Sequence, residues 1–224
     1  MIPRRSALVV LIAAAATAAA QDPIAVSPRN YKIEVENAWV RVFRVKQDPH
    51  EKTPLHEHPA SVTVYLTDVD QRFTGEDGKA REVRHKAGDV AYASAVKRAE
   101  ENLSDKPLEL ILIELKPGAP KPISPPITLD PVKLDPTHHI VVFENDRVRA
   151  LRTILEPHLK SPMHEHPPYV VVYVTGLHVT QKLGDGRLVD NPRNPGDVAW
   201  RDAQKHETEN IGDRTAVEIQ VELK

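Results

Sequence analysis

Cysteine is absent from this chain of 224 residues. Disulfide bonds, thiolate metal ligands and a lipid anchor on an N-terminal cysteine are therefore excluded. Any metal site has to be built from histidine and carboxylate side chains. Aromatic residues make up only 4% of the chain, so a core must rest largely on Val, Ile, Leu and Ala. The formal net charge of −2 is not that of a nucleic-acid-binding protein.

No hydrophobic run long enough for an ordinary membrane span is present either. The chain opens with Arg4-Arg5, an uncharged apolar run from Ala7 to Ala16, and the small residues Ala18-Ala19-Ala20. This order predicts a secretory signal peptide over residues 1–20, and hence a periplasmic or secreted protein without a membrane span after cleavage. An uncleaved N-terminal anchor is the alternative, but the apolar run is short for one.

The most informative feature that is present is an internal repeat. His56-Glu57-His58-Pro59 recurs 108 residues later as His164-Glu165-His166-Pro167, and residues 36–116 align with residues 144–224 without a gap. A register kept over about eighty residues predicts one small domain that has been duplicated.

We therefore expect a first domain over residues 31–116 and a second over residues 138–224. Residues 117–137 between them contain seven prolines, which exclude a regular helix or a central strand there. This segment should be a semi-rigid linker. Its apolar residues predict that it packs across the other domain.

The pattern within each copy is that of β-strands. Apolar and β-branched residues recur at every second position, as in Val62, Val64 and Leu66. The turn sequences Glu76-Asp77-Gly78 and Gly184-Asp185-Gly186 fall at equivalent places and predict hairpins. No window has the pattern of an amphipathic helix. Each copy should be an all-β sandwich or barrel, and the two should pair side by side.

Three histidines of the second copy form a candidate metal site. Residues i and i+2 of a strand face the same side, so His164 and His166 face one way and Glu165 the other. His206 follows a turn and a further strand, which can return it to the same cavity. Three neutral imidazoles can bind Fe(II), Zn, Mn, Ni or Cu and leave coordination positions open, as catalytic metal sites do.

These residues resemble the motifs of the cupin superfamily, and the chain from residue 31 to 224 resembles an exported bicupin. The family's first motif contains His-x-His, matched by His164-Glu165-His166. Its second motif runs from Gly-Asp to His-x-x-x-Asn, matched by Gly196-Asp197 and by His206 with Asn210. The resemblance implies two tandem cupin domains, each a double-stranded β-helix or jelly-roll barrel.

Two departures from the cupin pattern stand out. The leading glycine of the first motif is replaced by histidine, His50 in the first copy and His158 in the second. The position of the family's glutamate ligand is apolar in the second copy, at Val170 or Val171, and is Val62 or Thr63 in the first. The carboxylate ligand of the motif is therefore missing from both copies.

The three-histidine set is similar to the sites of thiol, gentisate-type and β-diketone dioxygenases of this superfamily. That resemblance implies Fe(II), O₂ and a small, chelating, oxygen-rich substrate such as a flavonol, a diketone or a catechol-like acid. A metal-dependent isomerase or lyase of a small acid is an alternative. A non-enzymatic module that binds a small ligand or a metal is another. A monomer or a homodimer is compatible with each of these.

The first copy has Arg98 where the second has His206, so only His56 and His58 remain there. A guanidinium is a poor metal ligand, and we expect this copy to be metal-free. Arg98 could bind an anion, pair with a nearby glutamate (Glu57, Glu100 or Glu101), or be a solvated surface residue. The two histidines could belong to a turn or to an internal hydrogen-bond network.

Tyr169 is a candidate catalytic residue, because a phenol near a metal can orient a substrate or donate a proton. Tyr173 and Trp200 could line the same pocket, although core packing explains them equally well. The acidic residues Glu165, Glu207 and Glu209 are expected to be surface carboxylates. The pair His138-His139 should mark the first strand of the second copy.

Overall fold

The computed structural model describes residues 21–118 and 126–224. Almost all regular structure in them is β-strand, as predicted, and two helices of four residues complete it. The predicted signal peptide over residues 1–20 lies outside the described residues, as does the linker segment 119–125. Among the described helices, none has the length and apolarity needed to cross a membrane.

The first copy, here called the first barrel, begins with one helical turn and continues with nine strands. These elements are α1 (Pro23–Val26), β1 (Tyr31–Glu36), β2 (Val40–Gln47), β3 (Lys52–His58), β4 (Ser61–Tyr65), β5 (Val69–Gly75), β6 (Ala80–His85), β7 (Val90–Ala93), β8 (Val96–Asn102) and β9 (Leu108–Leu115). The strands form two antiparallel sheets, a five-stranded one in the order β1-β2-β9-β4-β7 and a four-stranded one in the order β3-β8-β5-β6.

The second copy, the second barrel, repeats this plan. Its elements are α2 (Pro131–Leu134), β10 (His139–Glu144), β11 (Val148–Leu155), β12 (His164–His166), β13 (Tyr169–Tyr173), β14 (Leu177–Leu183), β15 (Leu188–Arg193), β16 (Val198–Arg201), β17 (Gln204–Asn210) and β18 (Ala216–Leu223). Its sheets have the orders β10-β11-β18-β13-β16 and β12-β17-β14-β15. Both predicted hairpins, β5–β6 and β14–β15, are confirmed.

The five-stranded sheets are buried on both faces. In β2, Val40 and Val42 contact the cluster shared by the two barrels, whereas Phe43 and Val45 point into the first barrel. A strand covered on both sides has apolar residues at consecutive positions rather than in strict alternation. The alternation of apolar and polar residues is therefore clearest in strands that have one polar face.

The two barrels pack against each other through these sheets, with nearly symmetrical contacts. The shared core contains valines, isoleucines and leucines of both copies, and Trp39 stacks on Trp200 with ring centroids 5.7 Å apart. Arg44 donates from Nη2 to the carbonyl oxygen of Gly196, and Arg152 donates to that of Gly88, each over 2.6 Å. Trp200 is thus an interface residue and does not line the histidine pocket.

The proline-rich linker contains one helical turn, α2, and the prediction that it has no regular helix was wrong there. Pro131 occupies the first turn, where the missing N–H costs no hydrogen bond, and the Asp130 side chain caps the turn by accepting from Val132 N. The described end of the linker packs on the second barrel, where Glu165 N donates to the carbonyl oxygen of Leu129 over 2.9 Å.

Candidate metal centre

Two adjacent strands bring the three predicted histidines of the second barrel together. His164 and His166 alternate on β12 and face the barrel interior, while His206 lies directly opposite His164 on β17. One ring nitrogen from each histidine lies within 4.8 Å of those of the other two, and all three residues are buried. The i, i+2 spacing and the strand return that the sequence indicated produce this cluster.

Hydrogen bonds on the outer side of two rings leave their inner nitrogens free. His164 donates from Nδ1 to the carbonyl oxygen of Pro162 over 2.7 Å, and His166 donates from Nδ1 to Glu222 Oε1 over 2.7 Å. Three buried nitrogens have no hydrogen-bond partner among the described residues: His164 Nε2, His166 Nε2 and His206 Nδ1. Unpartnered buried polar atoms are rare and call for a ligand or a bound water.

Burial keeps these imidazoles neutral. It lowers the pKa of His164, and it holds the pKa values of His166 and His206 well below the usual range, with the neighbouring imidazoles adding to the effect. Neutral imidazole is the form that binds metal. Three neutral nitrogens that converge on one point fit a divalent first-row transition metal and leave further coordination positions open. That the cluster binds a metal stays a prediction.

Glu222, which the sequence analysis missed, links His166 to a chain of charges. Arg149 donates from Nε to Glu222 Oε2 over 2.6 Å and also contacts Asp130 Oδ2 at 3.0 Å. The chain Asp130–Arg149–Glu222–His166 therefore runs from the cap of α2 to the histidine cluster. A carboxylate that receives the outer N–H of a ligand histidine fixes its tautomer and ring orientation.

Two more buried side chains contact the cluster. The Tyr169 ring lies 5.0 Å from that of His166, and its hydroxyl accepts from Gln204 Nε2 over 2.5 Å. His139 on β10, also missed, lies 4.9 Å from the His164 ring, and burial lowers its pKa to about 4. His139 does begin the first strand of the second copy, as expected, but its side chain faces the site.

The acidic residues of the motif face outward, as strand alternation predicted. Glu165 accepts hydrogen bonds from Thr128 N and Leu129 N, and Glu207 pairs with Lys160 at 2.9 Å. Glu165 thus binds the backbone of the linker and does not face the interior of the barrel.

A cavity of about 260 Å³ opens beside His166. Its walls come from the linker end, from β12 and from the start of β17, and they include Ile127, Glu165 and Gln204. The linker therefore forms one side of the opening next to the histidine cluster.

The first barrel has filled the equivalent position with its own side chains. Arg98, opposite His56 on β8, is 8% exposed and donates from Nε and Nη2 to Glu100 Oε1, each over 2.8 Å. Its guanidinium also lies 4.1 Å from the centre of the Phe73 ring. Of the alternatives for Arg98, pairing with Glu100 is the one that the structure shows.

The histidines of the first barrel belong to an internal hydrogen-bond network. His56 Nε2 lies 2.9 Å from His58 Nε2 and 2.9 Å from the Tyr31 hydroxyl, which donates to Glu100 Oε2 over 3.0 Å. The Glu100 carboxylate thus lies within 4.8 Å of one ring nitrogen of each histidine, although the motif position of the family's glutamate is Val62 or Thr63 in this copy. The nearby interior, lined by Phe73 and Arg98 among others, retains a cavity of only about 10 Å³.

His50 and His158 stand where the cupin motif has glycine, and both adopt the left-handed conformation that favours glycine, with φ of 58° and 63°. Both side chains are exposed. The backbone of the motif is therefore kept without its glycine, and neither side chain reaches the cluster.

No protein-family model matches the sequence, and the comparison with curated proteins found no match. Among solved structures, AerE from Microcystis aeruginosa aligns with a TM-score of 0.61 and 12% identity over 87% of this chain and 97% of its own. Oxalate decarboxylase from Bacillus subtilis aligns with a TM-score of 0.58 and 15% identity over 82% of this chain and 68% of its own.

A cupin domain from Bordetella pertussis covers 38% of this chain and 91% of its own, with 22% identity and a TM-score of 0.36. The Bacillus subtilis decarboxylase is described as having Mn(II) centres. At these identities the likeness shows the fold alone. The chain has the bicupin fold, with two tandem cupin barrels, as the sequence resemblance predicted.

Proposed function

We propose that the second barrel binds one divalent metal ion through His164, His166 and His206. The observation that carries this proposal is the group of three buried, unpartnered imidazole nitrogens that converge beside an open cavity. Burying three unsatisfied nitrogens costs free energy, about 1–3 kcal/mol each, which a bound ion offsets. The first barrel has no such unpartnered histidine nitrogens among its described residues.

We further propose that the protein is an Fe(II)-dependent dioxygenase of a small oxygen-rich substrate that chelates through two oxygens. Three protein ligands leave positions for both the substrate and O₂, and the ion would polarise the substrate and collect the reactants. The chain's own residues supply orientation and shielding. Glu222 fixes the His166 ring, Tyr169 faces the cluster from β13, and the linker at Ile127 limits access of water.

The proposal is tested by elemental analysis of protein purified without an affinity tag or chelator. About one metal ion per chain is expected, and His206→Ala should reduce it at least tenfold while the circular dichroism spectrum stays unchanged. Arg98→Ala, at the equivalent position of the first barrel, should keep the full metal content. Metal retained at full stoichiometry in the His206 variant would exclude this site. O₂ uptake with flavonol, diketone and catechol-like acids then tests the reaction.

A metal-dependent isomerase or lyase of a small acid is a second candidate, and one observation favours it. Glu218 faces the interior of the second barrel, and burial raises its pKa to about 7, a value suited to proton transfer near neutral pH. The bicupin fold also occurs in a protein named as a decarboxylase. Substrate turnover without O₂ consumption would favour this candidate over the dioxygenase.

We also propose that the chain is exported, on the basis of its N-terminal sequence, and that it acts as a monomer or a homodimer on a small-molecule ligand. The paired five-stranded sheets already cover each other within one chain, so a second copy is not needed to bury them. N-terminal sequencing of the protein from its native host tests cleavage near residue 20, and light scattering tests the oligomeric state.

A further inference from the structure

The interior of the second barrel is polar at positions where that of the first barrel is apolar. The second barrel has Thr153, Arg201, Glu218 and Gln220 at the places that Val45, Ala93, Leu110 and Leu112 occupy in the repeat. The same fold is therefore built with apolar residues at these positions, and the polar set is not required for folding. Burying polar groups costs free energy unless they are hydrogen-bonded. Thr153 donates to Gln220 Oε1 over 3.1 Å, whereas Arg201 has only long contacts.

Glu218 lies on the inner face of β18, opposite Tyr173 of β13 and Thr153 of β11. Its Oε1 accepts from Gln220 Nε2 over 2.9 Å, and it forms no salt bridge with a described residue. It is half-buried, whereas Leu110 in the first barrel is buried. Burial raises the Glu218 pKa to about 7, so the carboxyl is protonated in part of the molecules near neutral pH.

Arg201 lies at the mouth of the same barrel, opposite Tyr169 on β13. Its contacts are long, 3.5 Å to the Tyr173 hydroxyl and 3.4 Å to the Trp200 carbonyl oxygen, and it forms no salt bridge within the described part of the chain. It lines a surface cavity of about 490 Å³ together with Gln204. Gln204 also lines the cavity that reaches His166, so the two cavities adjoin.

The other charged and titratable groups around Glu218 are few. From β13 these are Tyr169 and Tyr173, and from β16 Arg201, which favours the ionised carboxylate. On its own strand Glu222 faces the same interior but pairs with Arg149. The facing residue of β11, Thr153, does not titrate. Arg201 is thus a cation that an anionic ligand in this interior would meet, and Arg193, whose guanidinium carbon lies 5.6 Å from the centre of the Tyr173 ring, is a second.

We propose that the interior of the second barrel binds a small carboxylic acid, with Arg201 pairing with its carboxylate and Glu218 forming a hydrogen bond to it. A guanidinium binds a carboxylate through two parallel hydrogen bonds, and a carboxyl group can share its proton with a second carboxylate. This assignment names the substrate class of the site proposed above and rests on that proposal.

The test uses metal-free full-length protein and succinate, whose binding is measured by isothermal titration calorimetry between pH 6 and pH 9. Wild-type protein should bind succinate below pH 7 and lose about tenfold in affinity per pH unit above it, because binding then requires uptake of one proton. Glu218→Gln keeps a hydrogen-bond donor without a titrating group. It should bind at all these pH values with no such loss.

Arg201→Gln should weaken succinate binding at least tenfold, and Arg201→Lys should retain part of it. Lys182→Gln removes one positive charge from an exposed position of β14 and should bind as the wild type does. The proposal is overturned if succinate does not bind, if Arg201→Gln binds equally well, or if Glu218→Gln keeps the pH dependence. Metal content, measured separately on these variants, tests the metal site independently of this result.

Discussion

The two barrels of this chain have the same arrangement of strands but different side chains next to their paired histidines. In the second, His206 faces His164 across β12 and β17, and the cluster has free nitrogens. In the first, Arg98 faces His56 across the equivalent strands and brings a permanent cation to the same place. The position at which we propose a bound cation in the second copy is thus occupied in the first by a guanidinium, which Glu100 and the Phe73 ring hold in place.

The supporting charges around the histidines, by contrast, are the same in both barrels. Asp22, Arg41 and Glu114 form with His58 the chain that Asp130, Arg149 and Glu222 form with His166 in the second barrel. The histidine-orienting framework therefore belongs to the repeat itself. The two barrels differ instead in the residues that face the histidines from the barrel interior, His206 in the second and Arg98 in the first.

Arg98→His tests this difference most directly. The substitution should give the first barrel a third imidazole opposite His56, with the Glu100 carboxylate beside it, and the metal content should rise from about one to about two ions per chain. Without metal the variant should be destabilised, since Glu100 loses its cation, and added Mn(II) or Zn(II) should raise its melting temperature. Elemental analysis and thermal unfolding measure both effects.

Arg98→Lys is the matched control for this experiment, because it keeps the positive charge and should leave the content at one ion. A first barrel that stays metal-free in Arg98→His would mean that the packing of Tyr31 and Phe73, rather than Arg98, excludes the ion.

The ion pair of the first barrel should make that barrel acid-sensitive. Arg98 and the two buried histidines lower the Glu100 pKa to about 2 despite burial, compared with 4.5 in the unfolded chain. A lowered folded-state pKa stabilises the protein above about pH 4.5, and this stabilisation, about 3 kcal/mol, is lost as the pH falls toward 2.

Glu100→Gln should therefore unfold more easily at pH 7 and show a flatter dependence of unfolding free energy on pH between 5 and 3. Urea unfolding at a series of pH values measures this. Glu101→Gln, next to it on the outer face of β8, is the control and should keep the wild-type slope. An unchanged slope in Glu100→Gln would contradict the role of the pair.

The sequence was sufficient for the fold and for the histidine cluster, because both depend on local periodicity and on the repeat. His164 and His166 were placed on one face by alternation alone, and the expected return of a further strand, together with the motif of His206 and Asn210, placed His206 beside them. Glu222 and His139 were missed because their contacts to the cluster come from strands distant in sequence. The helix α2 was missed because Pro131 was taken only as a helix breaker. Proline is favoured at the first position of a helix, and Pro131 lies in the first turn of α2.

Alternation could have identified the partner of Arg98 as well. Arg98 and Glu100 are two residues apart on β8 and share its inner face, whereas Glu101 lies on the opposite face. The polar interior of the second barrel was also visible in the repeat, where Leu110 aligns with Glu218. The sequence alone does not show that side chains fill the interior of the first barrel next to its histidines, whereas a cavity opens beside His166 in the second.

The smallest expected effect is that of Glu222 on metal affinity, and it can be compared with the equivalent residue of the first barrel, Glu114. Glu222→Gln keeps the shape of the side chain but weakens the acceptor for His166 Nδ1, so the affinity for metal should fall about 10- to 100-fold while the three ligand histidines remain. Competition with a chelating indicator measures this affinity. Glu114→Gln makes the same change beside His58 and removes the same charge from Arg41, so it controls for stability. If both variants bind metal as the wild type does, the charge chain only stabilises the fold, and a loss confined to Glu222→Gln shows that the second barrel uses the framework to orient a ligand.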